Sequence, residues 1–247
     1  MEKILKYIDE NYADIIGKDH IENLTFSSHR NSQRLFKRFF NETISNYQKR
    51  LKLENAYKKL VFTSDVIKNI AYDVGYENVS SFNKAFLKHF NKTPSDARES
   101  KEDLFHNFIR LSESYKKDIC YEVTYLPSKK VYYKLIVTDN YSNESINQLW
   151  DQIDKEILNP IDVNHYGLIL DQPLISGTLK CRYEACIDKI ESSNKYFEKE
   201  IFGQKYLKFI HSNEFDAIED TYGQIFYTWI TSLDYEIDNS PIIEQYI

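Results

Sequence analysis

Two stretches of the chain carry side chains suited to reading a polyanion. The first holds Ser28, His29, Arg30, Gln33 and Arg34, and the second holds Asn78, Val79, Ser80, Asn83 and Lys84. Arginine suits a guanine edge, glutamine suits adenine, and valine can touch a thymine methyl. The stretches echo each other fifty residues apart: Arg34 with Lys84, Phe36 with Phe86, Arg38 with Lys88, Phe40 with Phe90, and Asn-x-Thr after each. Base reading is expected from Arg30, Gln33 and Arg34 in the first copy, and from Val79, Ser80, Asn83 and Lys84 in the second. Val79 and Ser80 are short, so sequence reading should lean on the first copy. Lys37, Arg38, Lys49, Arg50 and Lys88 are expected at phosphate, which supplies affinity and salt dependence but no sequence.

A second constellation lies near the end of the chain. In "IIEQYI", Glu244 and Tyr246 are two apart, so on a strand they share a face. This half also holds both tryptophans, Trp150 and Trp229. Aromatic faces attract cations, and a carboxylate out of water supplies the countercharge, so the set suits an organic cation. Any one of these aromatics could equally be core, and an edge strand would leave Glu244 solvated. The chain offers no Ser/His/Asp set, no metal-ligand cluster and no phosphate-binding glycine loop. No catalytic residue, metal or cofactor is expected.

The charge divides as these chemistries do. Up to Arg110 there are 19 Lys+Arg against 15 Asp+Glu, a net of +4, and beyond it 13 against 23, a net of −10. Two domains with different partners are expected. The 247 residues suffice for two modest cores. Cys120, Cys181 and Cys186 form no CxxC pair and read as inert thiols of a reducing compartment. The start, MEKILKYIDENY, is no signal peptide and no run approaches a membrane span, so a soluble cytoplasmic protein without membrane contact is expected.

The elements that position these residues follow from periodicity. Ile4, Tyr7, Ile8, Tyr12 and Ile15 predict a first helix ended by Gly17. Helices are expected near Asp19–Leu24, over Ser28–Phe40 with Leu35, Phe36, Phe39 and Phe40 inward, and over Ile44–Phe62. Thr63-Ser64-Asp65 should cap the next helix, which Gly75 breaks. A second echo helix buries Phe82, Phe86 and Phe90, and Thr93-Pro94 opens a short one. Near Ile119 the pattern changes. "ICYEVTYLP" and "KVYYKLIV" predict a strand pair joined by a Pro-Ser-Lys turn. Helices are expected over Asn143–Leu158 and Phe215–Leu233, and strands in "HYGLIL", "CRYEACIDKI", "KYLKFIH" and "PIIEQYI". The fold class is therefore multi-domain, an all-α domain followed by an α+β domain. The boundaries are expected at 1–105, a linker over 106–117, and 118–247.

A glycine turn after a helix, followed by a polar-faced helix, is the layout of a helix-turn-helix. The segment "IAYDVGYENVSSFNKAFLKHFNKTP" resembles the signature of AraC/XylS-type transcriptional regulators, as does "LFKRFFNETISNYQKRLKLENAYKKL". The resemblance covers about the first hundred residues. It implies two helix-turn-helix units joined by one long helix, entering successive major grooves about 34 Å apart on double-stranded promoter DNA. Thr25 stands where the second unit has Gly75, so the first turn must close differently. From about Ile119 the chain looks like the GyrI-like (Rob- and BmrR-type) effector-binding domain. The matching residues are Tyr166-Gly167, Asp171-x-Pro173, Cys181-Arg182-Tyr183-x-Ala185-Cys186, Phe215, Tyr222, Trp229 and Glu244-x-Tyr246. This resemblance implies a duplicated strand–helix–strand–strand fold with a groove for bulky, amphipathic, often cationic ligands, and a strand carboxylate that matches Glu244. With it, Tyr166, Tyr183 and Tyr222 join Glu244, Tyr246, Trp150 and Trp229 as effector-binding candidates. The two resemblances together imply a multidrug- or stress-sensing regulator that contacts RNA polymerase. Two alternatives stay open: an acidic half that binds protein without a ligand, and a GyrI-like hydrolase using Glu244.

Overall fold

The computed structural model describes residues 2–112, 119–158, 160–176, 181–190, 195–211, 218–233, 235–238 and 240–246. They fall into two compact units, Met1–Lys101 with Glu236–Asn239, and Glu102–Tyr235 with Ser240–Ile247. No helix among the described residues is long and apolar enough to cross a membrane.

The first unit is helical: α1 (Glu2–Glu10), α2 (Lys18–Thr25), α3 (His29–Phe40), α4 (Ile44–Phe62), α5 (Ile67–Asp73), α6 (Val79–Phe90) and α7 (Pro94–Glu99). The fifty-residue repeat is kept to the residue, with α3 and α6 both twelve residues long. Its Asn-x-Thr signature joins two helices. Asn41 and Asn91 take left-handed conformations as C-caps (φ 54° and 55°), and Thr43 and Thr93 cap the next helix through their hydroxyls. α4 serves both copies, so it is apolar on more than one side, with Tyr47, Leu51, Leu53, Ala56, Tyr57 and Leu60 all buried. Tyr47 meets Phe36 edge-on at 5.3 Å, and ten residues on Tyr57 meets Phe90 edge-on at 4.8 Å.

Gly75 (φ +79°) closes the second turn where a Cβ would lie 1.8 Å from the Ala13 carbonyl oxygen. Lys52 donates to that oxygen and to the Gly75 carbonyl, both at 3.0 Å. The first turn does close differently. Phe26 takes the left-handed position (φ 51°), and the Thr25 hydroxyl donates to the Ile21 carbonyl at 2.8 Å. Three expectations are corrected. α1 stops at Glu10, because the Asn11 side chain donates to the Tyr7 carbonyl (2.8 Å) and Gln48 draws the Tyr12 and Asp14 carbonyls onto α4, leaving Ile15 exposed. The α5 N-cap is Val66, while Thr63 ends α4 with its hydroxyl on the Lys59 carbonyl. Phe39 is exposed and lies outside the buried stripe of α3.

The second unit opens with α8 (Lys101–Ser112), which occupies much of the expected linker. There follow β1 (Tyr121–Leu126), β2 (Lys129–Thr138), α9 (Asn143–Asp154), β3 (His165–Ile169), α10 (Pro173–Ser176), β4 (Cys181–Ile187), β5 (Phe197–Ile201), β6 (Gln204–Phe209), α11 (Ile218–Ser232) and β7 (Ile242–Tyr246). Residues 215–217 of the expected last helix lie outside the described residues. The main sheet is antiparallel in the order β5-β2-β4-β3-β7, and β1 pairs with β6. This is the expected α+β class: β2-α9-β3-β4 forms one strand–helix–strand–strand round, and β6-α11-β7 belongs to the second.

β1 and β2 are not a hairpin. The register pairing Tyr121 with Phe209 runs on without slip to Tyr133 with Phe197, so β1–β2 and β6–β5 form one long ladder. Pro127 has no N–H to give it, and the Gly203 N–H turns to the Ser128 hydroxyl instead (2.9 Å). β5 was not anticipated, because "FEKEI" shows too little apolar alternation. Tyr183, Ala185 and Ile187 of β4 pack with Ile146, Leu149 and Ile153 of α9. Cys186 joins Tyr166, Leu168, Val131 and Tyr133 in a separate cluster, as period-two alternation requires.

Candidate functional site

On the first unit the candidate nucleic-acid face is α3 and α6. Each has its N-cap at the repeat position, with Ser28 accepting from the Asn31 N–H (3.3 Å) and Asn78 from the Ser81 N–H (2.8 Å). Arg30 and Arg34 are exposed on α3, and Ser80, Asn83 and Lys84 on α6. Lys37, Arg38, Lys49 and Lys88, the expected phosphate contacts, are exposed. Three of the named residues are less exposed. Gln33 is half-buried: its Oε1 accepts from the Ile44 N–H (3.2 Å) and its amide nitrogen lies 3.3 Å from His29 Nε2, so it braces α3 against the start of α4. Val79 is the first residue of α6 and half-buried.

Arg50, expected at phosphate, is 8% exposed. It donates to both oxygens of Glu54 at 3.0 Å and to Glu42 at 2.8 Å, and lies over the Tyr47 ring. Burial opposes its charge, but the two carboxylates overcome that and raise its pKa. The guanidinium thus ties the α3–α4 turn to α4. Asn31 was missed by the sequence reading. It accepts from Arg34 (2.9 Å) and donates to Ser27 (2.8 Å), presetting the arginine.

On the second unit, β7 and β3 bring Glu244 opposite Gly167. A Cβ on Gly167 would lie 2.2 Å from the Tyr183 hydroxyl and 2.9 Å from Glu244 Oε2, so only a glycine lets these groups lie over the strand. Glu244 Oε1 accepts from the Tyr222 hydroxyl (2.8 Å) and Oε2 from the Tyr246 hydroxyl (2.7 Å). The Tyr246 and Tyr183 hydroxyls are 2.8 Å apart, and Trp150 Nε1 donates to Tyr183 at 3.1 Å. Indole can only donate and an ionised carboxylate only accept. With Glu244 ionised the proton order is therefore Trp150 to Tyr183, Tyr183 to Tyr246, Tyr246 to Glu244.

Burial raises the Glu244 carboxyl above its ordinary range, against the hydrogen bonds of Tyr246 and Tyr222 and the attraction of His211. Burial and the Glu244 charge raise Tyr183, Tyr222 and Tyr246, which therefore remain protonated donors. The Trp150 ring meets His165 edge-on at 5.3 Å and Tyr246 at 5.5 Å. His165 and His211 were missed by the sequence reading. His165 was detectable in principle, being two residues from Gly167 and so on its face.

Five of the seven candidates thus converge: Glu244, Tyr246, Tyr222, Tyr183 and Trp150. The other two do not. Tyr166 neighbours Gly167 on β3, so its side chain leaves by the other face, into the Val131–Tyr133 cluster, and its hydroxyl accepts from Lys129. Trp229 donates to the Tyr235 carbonyl (2.9 Å) and meets Phe105 edge-on. Phe215 lies outside the described residues. Cys181, pushed up to about 12 by burial, and Cys186, which burial raises well above the ordinary thiol range, are poor nucleophiles.

Comparison with known proteins divides the chain in the same way. A helix-turn-helix domain family matches residues 23–100, and the GyrI-like small molecule binding domain matches 120–247. The regulatory protein SoxS of Salmonella typhimurium is 29% identical over 98 residues, 40% of this chain and 92% of its own. The probable transcription factor PqrA of Proteus vulgaris is 35% identical over 99 residues, 39% of this chain and 81% of its own. Among solved structures, the EcmrR C-terminal domain is 18% identical with a TM-score of 0.41, covering 52% of this chain and 84% of its own.

Proposed function

The chain belongs to the AraC-type helix-turn-helix regulators through its first unit and to the GyrI-like small-molecule-binding domains through its second, and from that premise we propose that it is a one-component transcription regulator whose effector is an amphipathic, aromatic cation. The observation that carries the effector class is Glu244. It is a half-buried carboxylate on the edge strand β7, shielded there by the aromatic side chains of Trp150, Tyr183, Tyr222 and Tyr246 bonded in series around it. A cation restores what burial removes from the carboxylate, and the rings supply both apolar area and negative faces. A water activated by Glu244 would have to compete with the phenol donors that already hold each of its oxygens.

In the first unit, base reading is assigned to Arg30, Arg34, Ser80, Asn83 and Lys84, and phosphate contact to Lys37, Arg38, Lys49 and Lys88. Gln33 and Arg50 take positioning roles. RNA polymerase is the proposed downstream partner and the cytoplasm the proposed location. The second reading, a protein-docking role for the acidic half, is favoured by one feature: Tyr121, Val123 and Tyr125 of β1 are 42%, 52% and 63% exposed on one side of the ribbon.

A thermal-shift screen separates the two readings. Lipophilic cations, bile-salt-like anions and neutral dyes are added to the full chain. A ligand bound only to the folded state raises the midpoint. Cations should do so in the wild type and not in Glu244→Gln. A screen in which no compound shifts the midpoint would favour protein docking.

A further inference from the structure

The outer face of α6 is not purely polar. Ser80, Asn83, Lys84 and Leu87 fall at i, i+3, i+4 and i+7, so they share one face, turned away from the fully buried Phe82 and Phe86. Leu87 is 47% exposed. Fifty residues earlier its place is held by Lys37. Where the first unit presents a cation, the second presents a branched hydrocarbon.

A lone exposed leucine ordinarily needs no explanation. This one lines a groove of about 370 Å³ together with Ile67, Asn83, Lys84, Thr93, Pro94 and Ser95. Hydrocarbon from α5 and α7 therefore continues that of Leu87, beside the very side chains assigned to the bases. Among the groups that base edges show in the major groove, the thymine C5-methyl is the apolar one. The residue expected to meet such a methyl, Val79, is half-buried at the start of α6.

We propose that Leu87 reads a thymine methyl in the half-site bound by α6, making it a specificity-determining residue of the second unit. This rests on the DNA-binding reading above, and the test keeps the two apart. The full chain is first used to enrich a preferred duplex from a random library. Each thymine of the α6 half-site is then replaced singly by uracil, which lacks only the methyl, and affinity is measured for the wild type and for Leu87→Ala. One replacement should weaken the wild type about fourfold, the worth of one buried methyl, and leave Leu87→Ala unchanged. Leu87→Lys, which restores the side chain of the first unit, should bind bulk DNA at least as well yet lose that thymine preference. If every replacement weakens both proteins equally, or none weakens either, Leu87 is no reader. If no sequence is enriched at all, the DNA-reading assignment falls and this inference falls with it.

Discussion

Glu244 is subject to opposed influences on its proton: burial favours the neutral acid, while two phenols and His211 favour the carboxylate. Burial prevails, so its pKa in the folded chain stands above that in the unfolded one. Between those two values the folded state holds more protons, so the stability of the second unit should fall as pH rises through that window. Affinity for a fixed cation should run the other way, rising with pH through the raised pKa and levelling above it. Urea midpoints and binding isotherms between pH 4 and 8 would show both trends in the wild type and neither in Glu244→Gln. Gly167→Ala should leave a folded protein that has lost cation binding, because the new Cβ must displace the Tyr183 hydroxyl or the carboxylate. Calorimetry showing wild-type affinity in that variant would contradict the geometry. Glu244 and Tyr246 were legible as a pair because a strand repeats every two residues. The distance of Tyr166 from them follows from the same period, since Tyr166 and Gly167 are neighbours. Trp229 was not legible, since its partner Phe105 lies far away in sequence.

At the level of elements, the repeat fixes α3 and α6 and both their caps. Thr93→Ala removes one half of a capping box and should cost the helical unit about 1 kcal/mol in chemical denaturation. The two arginines Arg38 and Arg50 should separate cleanly. Arg50→Ala removes the guanidinium from Glu54, itself 2% exposed, and should destabilise the unit by about 3–5 kcal/mol. Arg38→Ala should leave stability alone and lower the slope of log K against log salt by about one. A stable Arg50→Ala with a reduced slope would return Arg50 to the phosphate set. Sequence pattern could not show its burial, because a long helix with basic residues on several sides reads as solvated until Glu42 and Glu54 are placed. The β1–β2 junction misled for a related reason. Pro-Ser-Lys has turn chemistry, yet its partner strand β5–β6 lies over sixty residues away, and local signals do not report pairing at that range.

Across the whole molecule, the split of net charge suits the proposed partners, a polyanion for one unit and a cation for the other. If an effector changes DNA affinity by some factor, DNA must change effector affinity by the same factor. Saturating enriched duplex should therefore shift the affinity for tetraphenylphosphonium by the factor by which that cation shifts duplex binding. A factor of one in both directions would mean that the two sites are not coupled. The domain order and classes were legible because charge, periodicity and motif all change near Ile119. The assembly of the site was not, because it gathers α9, β3, β4, α11 and β7 from across a hundred residues.

The central claim is that Glu244 holds a small organic cation. Calorimetric titration of tetraphenylphosphonium into the full chain, beside the neutral triphenylphosphine oxide, tests it most directly. The wild type should bind the cation at least tenfold more tightly than Glu244→Gln does, while the neutral compound binds both proteins alike. Equal affinity of the cation for the two proteins would contradict the account.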